Sequence, residues 1–386
     1  MKKNILIFAH DSSLYGASLS LITILNYLSQ DESFDVMVLL PYGGLLEQKL
    51  KNIKIRYKII SFPKCFTKQS NNGIKFYKVI LNYYIKEYKI MPILKAIARQ
   101  FKPDVIYTNT SVISVGYKLA GKLQIPHIWH IREFGNINSS GRYIPLRTLI
   151  AHKIRNSYTS IFTTSLLRDH WIKSQKEKYK VVYNGFEQVS KNNTLNRIPN
   201  DTYKFGLLGM LIPIKGQDIA IKGFAQFFKH YKNSELHFYG NKGDENYYDI
   251  LKNLAQESGC SENIYFHPYN SDINLIYKNI NVLLNCSVSE GFGRTLVEAM
   301  IRGIPVIANS SSGGPREIID DGVNGLLYTN TPDSLKEKMN LLSSTQGLYA
   351  KISNNAIIKA HKEFSEEKYV HRIRSILINA TEKSRV

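Results

Sequence analysis

Cysteine is nearly absent from this sequence: 386 residues contain three, Cys65, Cys260 and Cys286, and none stands near another. That spacing excludes a disulfide framework and provides no zinc-ligand pair. Such sparing use fits a reducing compartment. Long apolar runs are missing too. No stretch of 18 apolar residues occurs, so no segment is expected to cross a bilayer. Met1-Lys2-Lys3 leads straight into the short apolar run 4–9, and no signal peptide is expected. The first strand–helix junction lacks a G-x-G-x-x-G, which argues against a nicotinamide cofactor.

Acidic residues are scarce in one half only. Residues 1–190 hold 28 Lys and Arg against 11 Asp and Glu, whereas residues 191–386 hold 23 against 20. The net charge of +20 therefore belongs mainly to the first half. Within residues 49–102 there are 14 basic residues and one acid, Glu87. A patch of that kind reads as a surface for anionic lipid, nucleic acid or an anionic glycan. Residues 74–101 read as a long helix interrupted near Pro92, in which Phe76, Tyr77, Tyr83, Tyr84, Tyr88 and Phe101 are interleaved with lysines. Aromatic and basic residues on one amphipathic surface suit a membrane interface. A core-facing helix with a solvated basic back fits the same pattern.

The length suggests two domains of ~190 residues. In the first, apolar strand signals at 4–9, 36–40, 56–61, 104–107, 126–131, 160–164 and 180–183 alternate with helical ones at 16–30, 74–101, 112–123, 139–155 and 166–176. In the second, strands at 204–208, 236–239, 263–266, 281–285 and 305–308 alternate with helices in the same way, and helices close the chain at 332–344, 348–364 and 365–380. This alternation specifies an α/β fold with doubly wound parallel sheets. The polar, proline-bearing segment SKNNTLNRIPND is the candidate linker. The division is 1–189, a linker at 190–200, a second domain at 201–364 and a terminal helix at 365–386.

The most informative stretch is SEGFGRTLVEAMIRGIPVIA, residues 289–308. Glu290-Gly291-Phe292-Gly293 is a glycine-bearing turn, 294–302 reads as a helix ended by Gly303, and 305–308 as a buried strand. A helix N-terminus has unpaired N–H groups and partial positive charge, so it suits a phosphate or other anion. Gly291 and Gly293 allow close approach of backbone to a ligand. Arg294 sits in the first turn, where a cation opposes the helix dipole and makes sense beside an anionic group. Glu290 and Glu298 are fixed acceptors for a ligand rich in hydroxyls. Arg294 and Glu298, four apart, also fit a plain surface ion pair worth about 0.3–0.5 kcal/mol. In the first domain, polar residues stand at two strand ends: Asn109 after 104–107, and His130, Arg132 and Glu133 after 126–131. Such ends are where parallel sheets bind ligands, although a lone strand histidine is usually a satisfied core residue.

The string from Glu290 to Ala308 matches the nucleotide-sugar motif (E-x7-E) of the family 4 retaining glycosyltransferases. Gly313-Gly314-Pro315-Arg316-Glu317-Ile318 and Asp321-Gly322-Val323-Asn324-Gly325 resemble that family's next segments. Gly209-Met210-Leu211-Ile212-Pro213-Ile214-Lys215-Gly216 resembles its diphosphate-binding G-R-L-x-x-x-K-G, with Met210 where the arginine belongs. Tyr15-Gly16-Ala17 resembles the family's glycine loop in the first domain. The likeness covers most of the chain and is strongest over 205–327.

The resemblance implies the GT-B fold, two facing Rossmann-like domains with an interdomain cleft. The donor is then held mainly by the second domain and the acceptor by the first. Anomeric configuration is retained and no metal is expected; no D-x-D pair stands at a predicted strand end either. Lys215, Arg294 and the helix amides would stabilise the departing diphosphate, with Arg294 replacing the charge lost at Met210. Glu298 would hold the ribose hydroxyls, and Glu290 with the amides of Phe292 and Gly293 the hexose. Gly16, Gly209, Gly291 and Thr295 complete the implied donor site. His130 would face the hexose or the anomeric centre, with His127 the weaker alternative. Tyr15, Asn109, Arg132 and Glu133 are the acceptor-side candidates. No cofactor is expected; the nucleotide sugar, a UDP-sugar, is a substrate. The implied acceptor is a glycan or polyprenyl-linked precursor of surface polysaccharide. The expected location is cytoplasmic, peripheral on the anionic inner face of the membrane, without a nucleic-acid partner. Two other readings stand beside this one. A basic nucleic-acid-binding protein explains the charge but not the Glu290 helix mouth. A GT-B sugar-nucleotide epimerase keeps the fold and changes the chemistry.

Overall fold

The computed structural model describes residues 2–68, 73–135, 141–189, 202–270 and 272–383. Two compact units divide the chain: Met1–Gly185 together with Glu366–Val386, and Phe186–Ser365. The linker expected at 190–200 lies outside the described residues.

The first unit opens with β1 (Lys3–Phe8), α1 (Gly16–Gln30), β2 (Phe34–Leu40), α2 (Leu45–Asn52), β3 (Arg56–Ile59) and β4 (Phe66–Lys68). It continues through α3 (Ile74–Phe101), β5 (Val105–Asn109), α4 (Val115–Leu123), β6 (His127–Ile131), β7 (Gly141–Tyr143), α5 (Arg147–Asn156), β8 (Thr159–Phe162), α6 (Ser165–Trp171) and β9 (Tyr179–Val181). Seven parallel strands pair in the order β3-β2-β1-β5-β6-β8-β9, and β4 pairs with β7 apart from them. Alternate residues of β1 serve opposite faces. Ile5 and Ile7 pack with Leu21 and Leu25 of α1; Leu6 and Phe8 pack with Leu94 and Ile97 of α3 and Leu119 of α4. Burial on both faces is why these strands read as unbroken apolar runs.

The second unit contains β10 (Tyr203–Leu208), α7 (Gln217–Phe228), β11 (Ser234–Tyr239), α8 (Glu245–Glu257), β12 (Ile264–His267), α9 (Ile273–Lys278) and β13 (Val282–Asn285). It then runs through α10 (Arg294–Ile301), β14 (Val306–Asn309), α11 (Pro315–Ile318), β15 (Leu326–Tyr328), α12 (Pro332–Ser344) and α13 (Leu348–Glu363). Six parallel strands pair in the order β12-β11-β10-β13-β14-β15. The first and last residues of this unit meet: Phe186 N–H donates to Phe364 O at 3.0 Å, and Phe186 bridges to Ser365. The last helix, α14 (Glu366–Lys383), packs in the first unit, with Tyr369, Ile373 and Leu377 in the α1-side core.

Several elements depart from expectation. Pro92 does not interrupt α3, which runs on to Phe101. The proline sits on the exposed side, while Met91 before it and Leu94, Ile97 and Phe101 after it are buried, so packing holds the helix on both flanks. The helix expected at 139–155 is instead β7 followed by α5, with 139 and 140 outside the described residues. Pro145 has no N–H to continue a helix, which therefore starts beyond it. The helix expected to reach Lys176 stops at Trp171, with Lys173 at φ 50°. The short helix α2 and strand β4 were not foreseen.

Candidate active site

In the second unit the strand order reverses between β10 and β13. The loops after these strands border the crevice where open α/β sheets take ligands. Gly216, in the loop after β10, has φ +67°, and a Cβ there would lie 2.2 Å from Cys286 O. Only glycine lets this loop close onto the end of β13. Lys215, from the same loop that begins at Gly209, reaches Glu290, with Nζ 2.8 Å from Oε2. Ser287 Oγ–H donates to the same oxygen at 3.4 Å. The backbone of Glu290 is fixed as well. Its N–H donates to Ser312 O and its carbonyl accepts from Gly314 N–H, both at 2.8 Å. The Gly313-Gly314 segment thus braces the turn that carries the carboxylate.

Helix α10 begins at Arg294 behind Gly293, which has φ +103° and provides no side-chain cap. The Arg294 guanidinium lies over the Phe186 ring at 4.6 Å, and its Nη2–H donates to Glu298 Oε1 at 3.2 Å. The Arg294–Glu298 pair exists, but it is no solvated surface pair: the side chains are 19% and 13% exposed. Tyr277 O–H stands 3.3 Å from Glu298 Oε2 and 3.1 Å from the carbonyl of Thr295. The ring of Phe292 stacks on Phe186 and meets the edge of Phe364, so it is taken up in packing beside Gly291 and Gly293.

The first unit brings a different set together. The strand order there reverses between β1 and β5. Arg132 is buried and donates from Nε to Asn109 Oδ1 (2.7 Å), from Nη1 to Asn184 Oδ1 (2.7 Å) and from Nη2 to Tyr369 Oη (3.0 Å) and His130 Nδ1 (3.3 Å). Tyr107 Oη also lies 2.5 Å from His130 Nδ1. Arginine has only donors, so Nδ1 accepts and the proton of a neutral His130 sits on Nε2. That Nε2 is buried without a partner. Burial, with the Arg132 charge adding to it, holds His130 well below the usual histidine range. His127 instead is satisfied on both nitrogens, by Thr108 Oγ1 at 2.8 Å and Ser157 Oγ at 3.0 Å, and burial pushes it down to about 3. Glu133 turns to the Ser111 N–H and hydroxyl; burial raises its pKa against those bonds. Tyr15 and Gly16 stand exposed at the start of α1.

Residues 190–359 match the family Glycosyl transferases group 1. An uncharacterized glycosyltransferase of Methanocaldococcus jannaschii is 29% identical over 357 residues, 87% of this chain and 95% of that one. The alpha-monoglucosyldiacylglycerol synthase of Acholeplasma laidlawii is 24% identical over 314 residues, 74% of this chain and 78% of that one. The crystal structure of Anabaena HepE in complex with UDP-glucose superposes with a TM-score of 0.77 at 22% identity, over 97% of this chain and 99% of that one. The fold is that of the GT-B glycosyltransferases.

The second unit thus holds Gly209, Lys215, Glu290, Gly291, Phe292, Gly293, Arg294, Thr295 and Glu298 around one strand reversal. Tyr15, Gly16, Asn109, His130, Arg132 and Glu133 belong to the other unit. Tyr277 and Ser287 contact the unit's two carboxylates and Phe186 the Arg294 guanidinium, and none lies within a motif. Among the described residues, no group of three or more His, Cys, Asp or Glu is placed to hold a metal ion.

Proposed function

We propose that the chain is a retaining, metal-independent hexosyltransferase. It takes a hexose from a UDP-sugar and transfers it to a glycan or polyprenyl-linked acceptor in surface-polysaccharide synthesis. The observation that carries this reading is the Lys215–Glu290 ion pair across the β10/β13 reversal, with Glu298 one turn into the neighbouring helix. One cation and two carboxylates at a helix mouth suit a ligand that is diphosphate at one end and polyol at the other. Lys215, Arg294 and the first-turn amides of α10 stabilise charge on the leaving diphosphate. Glu298 accepts from the ribose hydroxyls and Glu290 from the hexose. His130, with Nδ1 engaged, donates its Nε2–H to a hexose oxygen as a neutral hydrogen-bond donor. A structural neighbour is described with UDP-glucose bound, and a relative is named as a diacylglycerol glucosyl synthase; both support the donor and acceptor classes.

The proposed location is the cytoplasmic face of the membrane, held by charge and without a nucleic-acid partner. Among the described residues no helix is long and apolar enough to cross a membrane. Helix α3 leaves Tyr77 73% and Tyr88 79% exposed, and its one acid, Glu87, is buried against Lys118 Nζ at 2.5 Å. The outward surface is consequently aromatic and cationic, as an anionic leaflet requires.

The test is incubation with a panel of UDP-hexoses while free UDP and the product anomer are followed by NMR. UDP release is expected with at least one donor, with retained configuration, no response to EDTA and loss of activity in Lys215→Ala. An inverted product sinks the stereochemical claim. Activity lost to EDTA and restored by manganese sinks the metal-independent one.

A further inference from the structure

Loops from several strands converge at the β1/β5 reversal of the first unit. Asp11, after β1, lies 3.7 Å from Lys64, which follows β3. Ser12 Oγ–H donates to Tyr42 O, after β2, at 2.5 Å. Cys65 N–H donates to Val112 O, after β5, at 2.7 Å. At the ends of β1, β5 and β6, three side chains carry buried polar atoms that meet no partner: His10 Nδ1, Thr110 Oγ1 and His130 Nε2. Buried polar atoms are nearly always hydrogen-bonded, and each exception costs stability. Three exceptions on neighbouring strand ends, at a strand reversal, mark a place where the partner is a ligand.

Thr110 is the most telling of them. Its φ is +83°, a region that β-branched residues avoid and that persists only when the surroundings enforce it. The enforcement is visible. Thr110 N–H donates to His130 O at 2.8 Å, and its carbonyl accepts from Trp129 Nε1–H at 2.7 Å. Glycine there would relieve the backbone, and valine would remove the unmet hydroxyl.

The neighbouring chemistry suggests what the hydroxyl reads. Asp11 is ionised, its pKa held down by Ser13 and Tyr42 hydrogen bonds against the opposing effect of burial. Burial pushes His10 down to about 4, so its imidazole is neutral. A carboxylate, a neutral imidazole and a hydroxyl suit the vicinal hydroxyls of a sugar, and Lys64 at 3.7 Å offsets the Asp11 charge. We propose that Asp11 and Thr110 form a hydroxyl-reading subsite for the neutral sugar head of the acceptor, with His10 beside them. This rests on the sugar-transfer reading above and names which part of the acceptor the first unit recognises.

Saturation-transfer NMR on the full chain tests it with two probes in one tube. One is UDP and the other a set of methyl hexosides (glucose, galactose, mannose and N-acetylglucosamine). At least one hexoside should receive saturation from the wild type. Thr110→Val and Asp11→Asn should each weaken that hexoside by about tenfold or more, with UDP binding unchanged. Thr110→Val should also raise Tm, because it deletes an unmet buried hydroxyl. A structural threonine would instead lower Tm on substitution. No hexoside bound by the wild type, full hexoside binding in both variants, or a lower Tm in Thr110→Val overturns the subsite. Failure of the wild type to bind UDP, with hexoside binding intact, removes the donor reading and leaves the subsite standing.

Discussion

The two histidines of β6 show how much a single hydrogen-bond partner decides. His127 has hydroxyls on both nitrogens and serves stability. Its folded pKa, about 3, lies below the ordinary value of 6.5. Below pH 6.5 the unfolded chain therefore binds a proton there that the folded chain refuses. The stabilisation is complete above pH 6.5 and falls by about 1.4 kcal/mol for each pH unit down towards 3. Urea midpoints should drop between pH 7 and pH 5, and His127→Gln should remove about one proton from that dependence. An unchanged dependence would contradict the assignment. For Arg294 the expected role is to supply the charge missing at Met210. Arg294→Ala should weaken UDP binding by ~1.5–3 kcal/mol in calorimetry, the scale of a charge-assisted hydrogen bond, and Met210→Arg should restore part of it. Unchanged affinity in Arg294→Ala would leave the arginine as a brace for Glu298. Lys215, Glu290 and Glu298 were legible in the sequence because each lies inside a short loop or helix motif. Tyr277 and Tyr369 were not. Tyr277 reaches Glu298 from 21 residues upstream, and Tyr369 reaches Arg132 across 237; no local pattern announces a partner at that distance.

Among the elements, α3 carries the clearest expectation. Its outward stripe of Ile74, Tyr77, Leu81, Tyr84 and Tyr88 follows helical spacing and is exposed along its length. The core-facing arrangement is realised: Tyr83, Ile90, Leu94 and Ile97 enter the core, while the stripe faces outward. Each lysine near an anionic leaflet contributes about 1 kcal/mol. The full chain should therefore sediment with anionic vesicles at low salt and release at high salt. Changing Lys75, Lys78, Lys86 and Lys89 to Glu should abolish sedimentation. Equal recovery with neutral and anionic vesicles would favour a soluble acceptor. Periodicity located this helix but misjudged Pro92, because burial on both sides of a proline is a tertiary fact. The helix expected at 139–155 is too long for a local reason: Pro145 has no N–H to continue it, and α5 starts beyond, at Arg147.

For the whole molecule, strand–helix alternation was enough to specify two doubly wound sheets, and unbroken apolar runs were enough to specify parallel strands buried on both faces. Strand order was not readable, because nothing local says that β1 pairs with β5 or β10 with β13. Those two reversals nevertheless position every candidate residue discussed. The first unit is also discontinuous in the chain. Tyr369, Val370, Ile373, Leu377 and Ala380 sit in the same core as Ile5 and Leu21. During translation these residues leave the ribosome only after the whole second unit has emerged. The half of the chain made first is thus the half completed last. A chain ending at residue 365 should hold a protease-resistant second unit beside a first unit still open to cleavage, and the full-length chain should resist in both.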